Sequence, residues 1–105
     1  MNYLAQRQQE LVRVLKKDGL DAFLVTHPVN VTYLTGFTGD SSYVVVSPKA
    51  TVLVTDARFE EQLTDDCPGQ EAHVRPHDQT IAEAAGEVLT KAGAKSVGIE
   101  ADHVT

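Results

Sequence analysis

A chain of 105 residues is long enough for one small domain that buries roughly two-thirds of its extended surface. Hydrophobic residues make up 42% and charged residues 23%, a balance that excludes a disordered chain. The formal net charge of -6 excludes a nucleic-acid face and an anionic membrane surface, since both need clustered Lys and Arg. The lone Cys67 excludes an internal disulfide. No basic segment followed by an apolar core opens the chain, and no apolar run approaches membrane-spanning length. A cytoplasmic location is therefore expected.

The first predicted element is a helix capped by Asn2 and running to about residue 18. Leu4, Leu11, Val12 and Leu15 share one face, and Lys16 and Lys17 suit the negative end of the helix dipole. Gly19 is the left-handed stop, with Leu20 folding back on Leu15. Residues 22–26 are apolar throughout and predict a strand buried on both faces. Pro28 then opens a short helix, because its fixed φ and missing N–H are harmless there. Val29 and Tyr33 lie four apart on one helical face. Gly36 stops this helix, Phe37 is an apolar plug, and Gly39-Asp40-Ser41-Ser42 reads as a polar loop. Tyr33 and Phe37 are both expected in the core, and 38–42 is expected to be accessible.

Residues 43–47 and 51–55 predict an antiparallel hairpin around the turn Ser47-Pro48-Lys49-Ala50. Asp56 is placed to cap a short helix ending near residue 65, and also to pair with Arg58. Cys67-Pro68-Gly69 breaks the chain before a weak strand, 72–75, that Pro76 ends. Thr80 and Glu83 have capping-box spacing ahead of the stripe Ile81, Ala84, Ala85, Val88, Leu89 and Ala92. Gly93 stops that helix, and 96–99 is the last strand. Alternating helices and strands with one hairpin imply an α/β fold, a mixed sheet with helices on its faces.

Few residues offer chemistry. His73 and His77 are four apart, but Pro76 and the strand keep them off one helical face. His27 before Pro28 reads as a polar strand end rather than a base. Cys67 has no neighbouring thiol and no adjacent cation, so it reads as inert. Glu60, Glu61, Asp65 and Asp66 read as a solvated helix face. Asp56 ends an apolar strand as a phospho-acceptor does in a receiver domain. That chemistry needs an acidic pair after the first strand, and Thr26-His27-Pro28 stands there instead.

The run Asn30-x-x-Tyr33-Leu34-Thr35-Gly36-Phe37 resembles the signature of the amino-terminal domain of the creatinase, prolidase and aminopeptidase P family, the pita-bread metallopeptidases. Gly19-Leu20-Asp21, Thr55-Asp56-x-Arg58 and Gly98-Ile99-Glu100 extend the resemblance over nearly the whole chain. Phe59 departs from it, standing where the family often has Tyr. The resemblance implies a creatinase/prolidase-like domain with a ribonuclease H-like motif, spanning 1–105 and cut short at its carboxyl end. It implies no catalytic residue and no metal here. Two divalent metal ions (Mn, Co or Zn) would belong to a separate carboxyl-terminal catalytic domain that acts on proline-containing peptides. It further implies a homodimer or higher oligomer. In that assembly Phe37, Thr38, Gly39, Asp40, Ser41 and Ser42 would face the substrate of a partner subunit. Asn30, Tyr33, Gly36, Asp56 and Arg58 would be structural. Alternatives are a protein-binding module from a relative that has lost catalysis and an independent ligand-binding α/β domain. Prolidase, aminopeptidase P and creatinase are not separated by these residues.

Overall fold

The computed structural model describes residues 3–38, 42–67 and 69–99. The expected Asn2 cap lies outside them. Helix α1 (Tyr3–Asp18) ends with Lys16 and Lys17 in its last turn. Gly19 takes φ 73°, a left-handed value that disfavours a side chain. The Gly19 N–H donates to the Lys16 carbonyl at 3.2 Å and the Leu20 N–H to the Leu15 carbonyl at 2.9 Å. These two bonds satisfy carbonyls the helix leaves open. Helix α4 (Ile81–Lys91) ends the same way. Gly93, at φ 71°, donates to Thr90, and Ala94 donates to Leu89. Asp21 joins the two turns, its carboxylate accepting from Lys95 N–H at 2.7 Å and Ser96 N–H at 3.1 Å.

Strands β1 (Ala22–Val25), β2 (Tyr43–Val46), β3 (Thr51–Asp56), β4 (Ala72–Arg75) and β5 (Val97–Ile99) form one sheet in the order β4-β3-β2-β1-β5. The hairpin β2–β3 is antiparallel, as expected, and β2 is also antiparallel to β1. The pairs β1–β5 and β3–β4 are parallel. The crossover from β3 to β4 runs outward through a 3-10 turn (Ala57–Phe59) and helix α3 (Glu60–Asp66). The crossover from β4 to β5 runs back across the sheet through α4. Right-handed crossovers in opposite directions require opposite faces. Accordingly α1, α3 and helix α2 (Pro28–Thr35) share one face, where Leu15, Val31, Leu34, Phe37, Val44, Val46 and Leu53 form the larger core. Helix α4 covers the other face through Ala84 and Val88, against Val45 and Val54. Its capping box is formed, with the Thr80 hydroxyl and the Glu83 carboxylate each satisfying the other residue's N–H.

Two expectations need correction. The strand β1 is not buried on both faces throughout. It lies next to the edge strand β5, and α4 sits over β2, β3 and β4. Leu24 is therefore half-buried and its parallel neighbour Ile99 is exposed. Tyr33 is not a core residue either, being 54% exposed. The buried face of α2 is Val31, Leu34 and Thr35, at i, i+3 and i+4, which turns Val29 and Tyr33 outward together.

Gly98 is needed for a different reason from the turn glycines. A β-carbon there would stand 2.6 Å from Phe23 Cδ1 and 2.9 Å from Leu20 Cδ1. Phe23 is the registered neighbour of Gly98, so its ring occupies the missing side chain's space. Gly98→Ala should destabilise the domain by about 1–3 kcal/mol through overpacking. Urea unfolding monitored by circular dichroism measures it. An unchanged midpoint would mean that the ring swings clear.

Candidate functional site

Four connections meet at one end of the sheet, because β1, β3 and β4 end where the antiparallel β2 begins. The first is the link from β1 to α2. Here His27 is a helix cap, its Nδ1 accepting from the Val29 N–H at 3.3 Å. The sequence reading missed this role, because His is not among the usual capping residues.

The second connection, from α2 to β2, is built by the signature itself. Gly36 takes φ 81° and donates to the Thr32 carbonyl at 2.7 Å. The buried Thr35 hydroxyl donates to the Val31 carbonyl at 2.7 Å and accepts from the Phe37 N–H at 3.1 Å. The Thr32 hydroxyl reaches the Phe37 carbonyl at 2.8 Å. Two threonines thus hold the peptide groups of Phe37, and its ring is 0% exposed. Helix α1 satisfies the open carbonyls of α2: Arg7 donates to Tyr33 O at 2.9 Å and Gln8 to Leu34 O at 2.7 Å. The Arg7 guanidinium also stacks 4.1 Å from the centre of the Tyr33 ring. Asn30 is exposed.

The six candidate loop positions therefore differ among themselves. Phe37 is buried, as expected of the plug, and Ser42 is buried too, which corrects the expectation that 38–42 is accessible throughout. The Ser42 hydroxyl donates to Thr55 Oγ1 at 3.0 Å. Thr38 is exposed but tied to α3: its N–H and its hydroxyl reach Asp66 Oδ2 at 3.1 and 3.0 Å. Gly39, Asp40 and Ser41 lie outside the described residues.

The third and fourth connections leave β3 and β4 for opposite faces. Such a divergence opens a crevice at the carboxyl ends of neighbouring strands. Asp56 and Arg75 fill it. The Asp56 carboxylate is 6% exposed and caps the turn after β3 by accepting from the Arg58 N–H at 3.0 Å. The Arg58 guanidinium binds it through two nitrogens, at 3.1 and 2.9 Å. Arg75 Nη2 adds a contact at 3.3 Å, and its Nη1 donates to the Gln79 carbonyl at 2.6 Å. The Arg58 side chain, foremost, holds the Asp56 carboxyl below the usual range, helped by the Arg58 N–H and the charge of Arg75 against the opposing effect of burial. Asp56 thus links the end of β3 to the turn after it through Arg58 and to the neighbouring strand β4 through Arg75.

Other candidates carry less. Burial, then the Asp66 charge, pushes the Cys67 thiol up, which disfavours the reactive thiolate. Among the described residues no group of three or more His, Cys, Asp or Glu is placed to hold a metal ion. None of their helices is long and apolar enough to cross a membrane. A groove of about 1030 Å³ runs between α1 and α2, lined by Arg7, Leu11, Val14, Phe23, Tyr33 and Leu34. Among the described residues, none of the α2–β2 connection lines it.

This fold and this signature have known counterparts. Solved structures with a TM-score above 0.8 include the N-terminal domain of cytoplasmic peptidase PepQ from Mycobacterium tuberculosis H37Rv. It is 31% identical with a TM-score of 0.81, over 94% of this chain and 75% of that one. An Xaa-Pro dipeptidase from Bacillus anthracis is 25% identical with a TM-score of 0.86, over 97% of this chain but 28% of that one. A curated relative, the uncharacterized peptidase YqhT of Bacillus subtilis (strain 168), is 31% identical over 87 residues. That stretch is 83% of this chain and 24% of the relative, so the chain spans about a quarter of the protein it matches. The family model for the Creatinase/Prolidase N-terminal domain matches residues 7–105, from the first turns of α1 past β5, and it is to this family that the chain belongs.

Proposed function

We propose that this chain is the non-catalytic amino-terminal domain of an Xaa-Pro metallopeptidase, an aminopeptidase P or a prolidase. The family match over residues 7–105 carries this reading. Its support is that the relatives are peptidases and that the chain spans only 24% of one and 28% of another. The hydrolytic step, with its two divalent metal ions, belongs to a carboxyl-terminal catalytic domain. This domain contributes to the oligomer and, through the α2–β2 connection, to the substrate pocket of a partner subunit. Thr38, Gly39, Asp40 and Ser41 are the positions that face it. Phe37 and Ser42 fix the two ends from inside.

The test is kcat/KM over a panel of Xaa-Pro peptides for the full-length protein with Asp40→Ala or Ser41→Ala, with metal content measured. Changed preference within the panel at constant metal is the expected result. Identical panels for both variants would leave the loop as a connector, with stability effects of only about half a kcal/mol.

A further inference from the structure

Helix α3 holds the start of the α2–β2 connection through side chains that nothing in their local sequence singles out. Thr38 N–H and Thr38 Oγ1 both donate to Asp66 Oδ2, at 3.1 and 3.0 Å. The Gln62 amide donates to the same oxygen at 3.1 Å and to Thr38 Oγ1 at 2.8 Å. One helical turn of α3 thus offers a carboxylate and an amide, four residues apart, to a single threonine 24 and 28 residues away. One residue earlier, Phe37 sets its ring on Phe59, the last residue of the 3-10 turn that leads into α3, with centroids 5.9 Å apart. The backbone direction at Thr38 is therefore set by α3 and by the turn that leads into it.

These bonds are poorly suited to a stabilising role. Thr38 is exposed and water competes for every partner. A buried ring one residue away already anchors the chain. What the three bonds to Thr38 add is orientation, since they restrict both its peptide plane and its side-chain rotamer. The Asp66 carboxyl is held below its usual range by the Gln62 amide first and by Thr38 next, so the group stays an acceptor at neutral pH.

We infer that Gln62 and Asp66 are positioning residues for the substrate-selecting connection, acting through Thr38 and touching no substrate themselves. This rests on the reading of that connection as substrate-facing. It adds that part of the selectivity is set from α3, outside the signature.

Two measurements separate the inference from the reading beneath it. The first is amide hydrogen exchange at Thr38 in this chain. Asp66→Ala should speed it by about tenfold or more, and Asp66→Asn, which keeps an acceptor oxygen, should restore most of the protection. Gln62→Ala, at the other α3 position of the clamp, serves if Asp66→Ala does not fold. The second is the Xaa-Pro panel on the full-length protein. Asp66→Ala and Gln62→Ala should shift relative kcat/KM between peptides in the same direction as Thr38→Val, by about threefold or more, with metal content unchanged. Unaltered exchange at Thr38 would overturn the clamp whatever the loop does. Faster exchange with a changed panel for Asp40→Ala but not for the α3 variants would overturn the positioning role alone. If neither Asp40→Ala nor the α3 variants alter the panel, the substrate-facing reading fails and the inference falls with it.

Discussion

Phe37→Ala is expected to cost about 3–5 kcal/mol, a large part of the roughly 5–15 kcal/mol that holds a small domain together. The ring is wholly inaccessible and lies in the larger core with Leu15, Val31, Leu34, Val44 and Leu53. It meets Phe59 edge to face, the planes 87° apart. Removing it opens a cavity whose walls cannot collapse easily. The backbone at Phe37 is held by Thr32 and Thr35, and the neighbouring helix is capped from α1. Denaturant unfolding gives the number directly. Tyr33→Ala is the internal comparison, because that ring is half exposed and loses mainly its stack with Arg7. It should cost only about 0.5–1 kcal/mol. A loss below about 1 kcal/mol for Phe37→Ala would mean that the ring is not the plug of this core.

The contrast between those two aromatics shows what the sequence made legible. Glycine stops at 19, 36 and 93, the capping box at Thr80 and the hairpin turn at Pro48 are local signals, and each formed where its residues stand. Phe37 follows a stop and precedes a polar loop, so burial was its natural fate. Tyr33 was ambiguous. The pair Val29 and Tyr33 and the set Val31, Leu34 and Thr35 are both helically spaced, and only the sheet decides which face is covered. The other misses are contacts between distant positions. Thr38 meets Asp66 across 28 residues, and Asp56 meets Arg75 across 19. No spacing rule reaches so far. Asp66 sits among Asp65, Glu60 and Glu61 on an acidic helix, where a solvated face is the ordinary outcome. Only the packing of α3 under the α2–β2 connection gives one of those carboxylates a partner. The family signature was legible because it is itself local, with its Thr, Gly and Phe bonding within a few residues of one another.

Asp56→Ala should destabilise the domain by about 3 kcal/mol near neutral pH. The size follows from what the variant leaves behind. Arg58 is 70% exposed, so it can return to water at little cost. Arg75 is 19% exposed and would keep its charge with the Asp56 carboxylate gone and the Gln79 carbonyl as a neutral partner. The cap on the turn into α3 is lost as well. The effect should depend on pH with a definite sign. The folded-state carboxyl titrates below its unfolded value of about 4, so its contribution is fully present above that value. It is lost as pH falls through the lower folded value, where the protonated acid leaves Arg75 as poorly paired as alanine does. The stability gap between the parent chain and Asp56→Ala should therefore be flat from about pH 5 to 7 and shrink below about pH 4. Unfolding midpoints of both proteins at pH 7, 5, 4 and 3 test this. A gap that stays constant to pH 3 would show that Asp56 contributes through packing and the cap alone, and that its ion pairs with Arg58 and Arg75 add nothing to the fold.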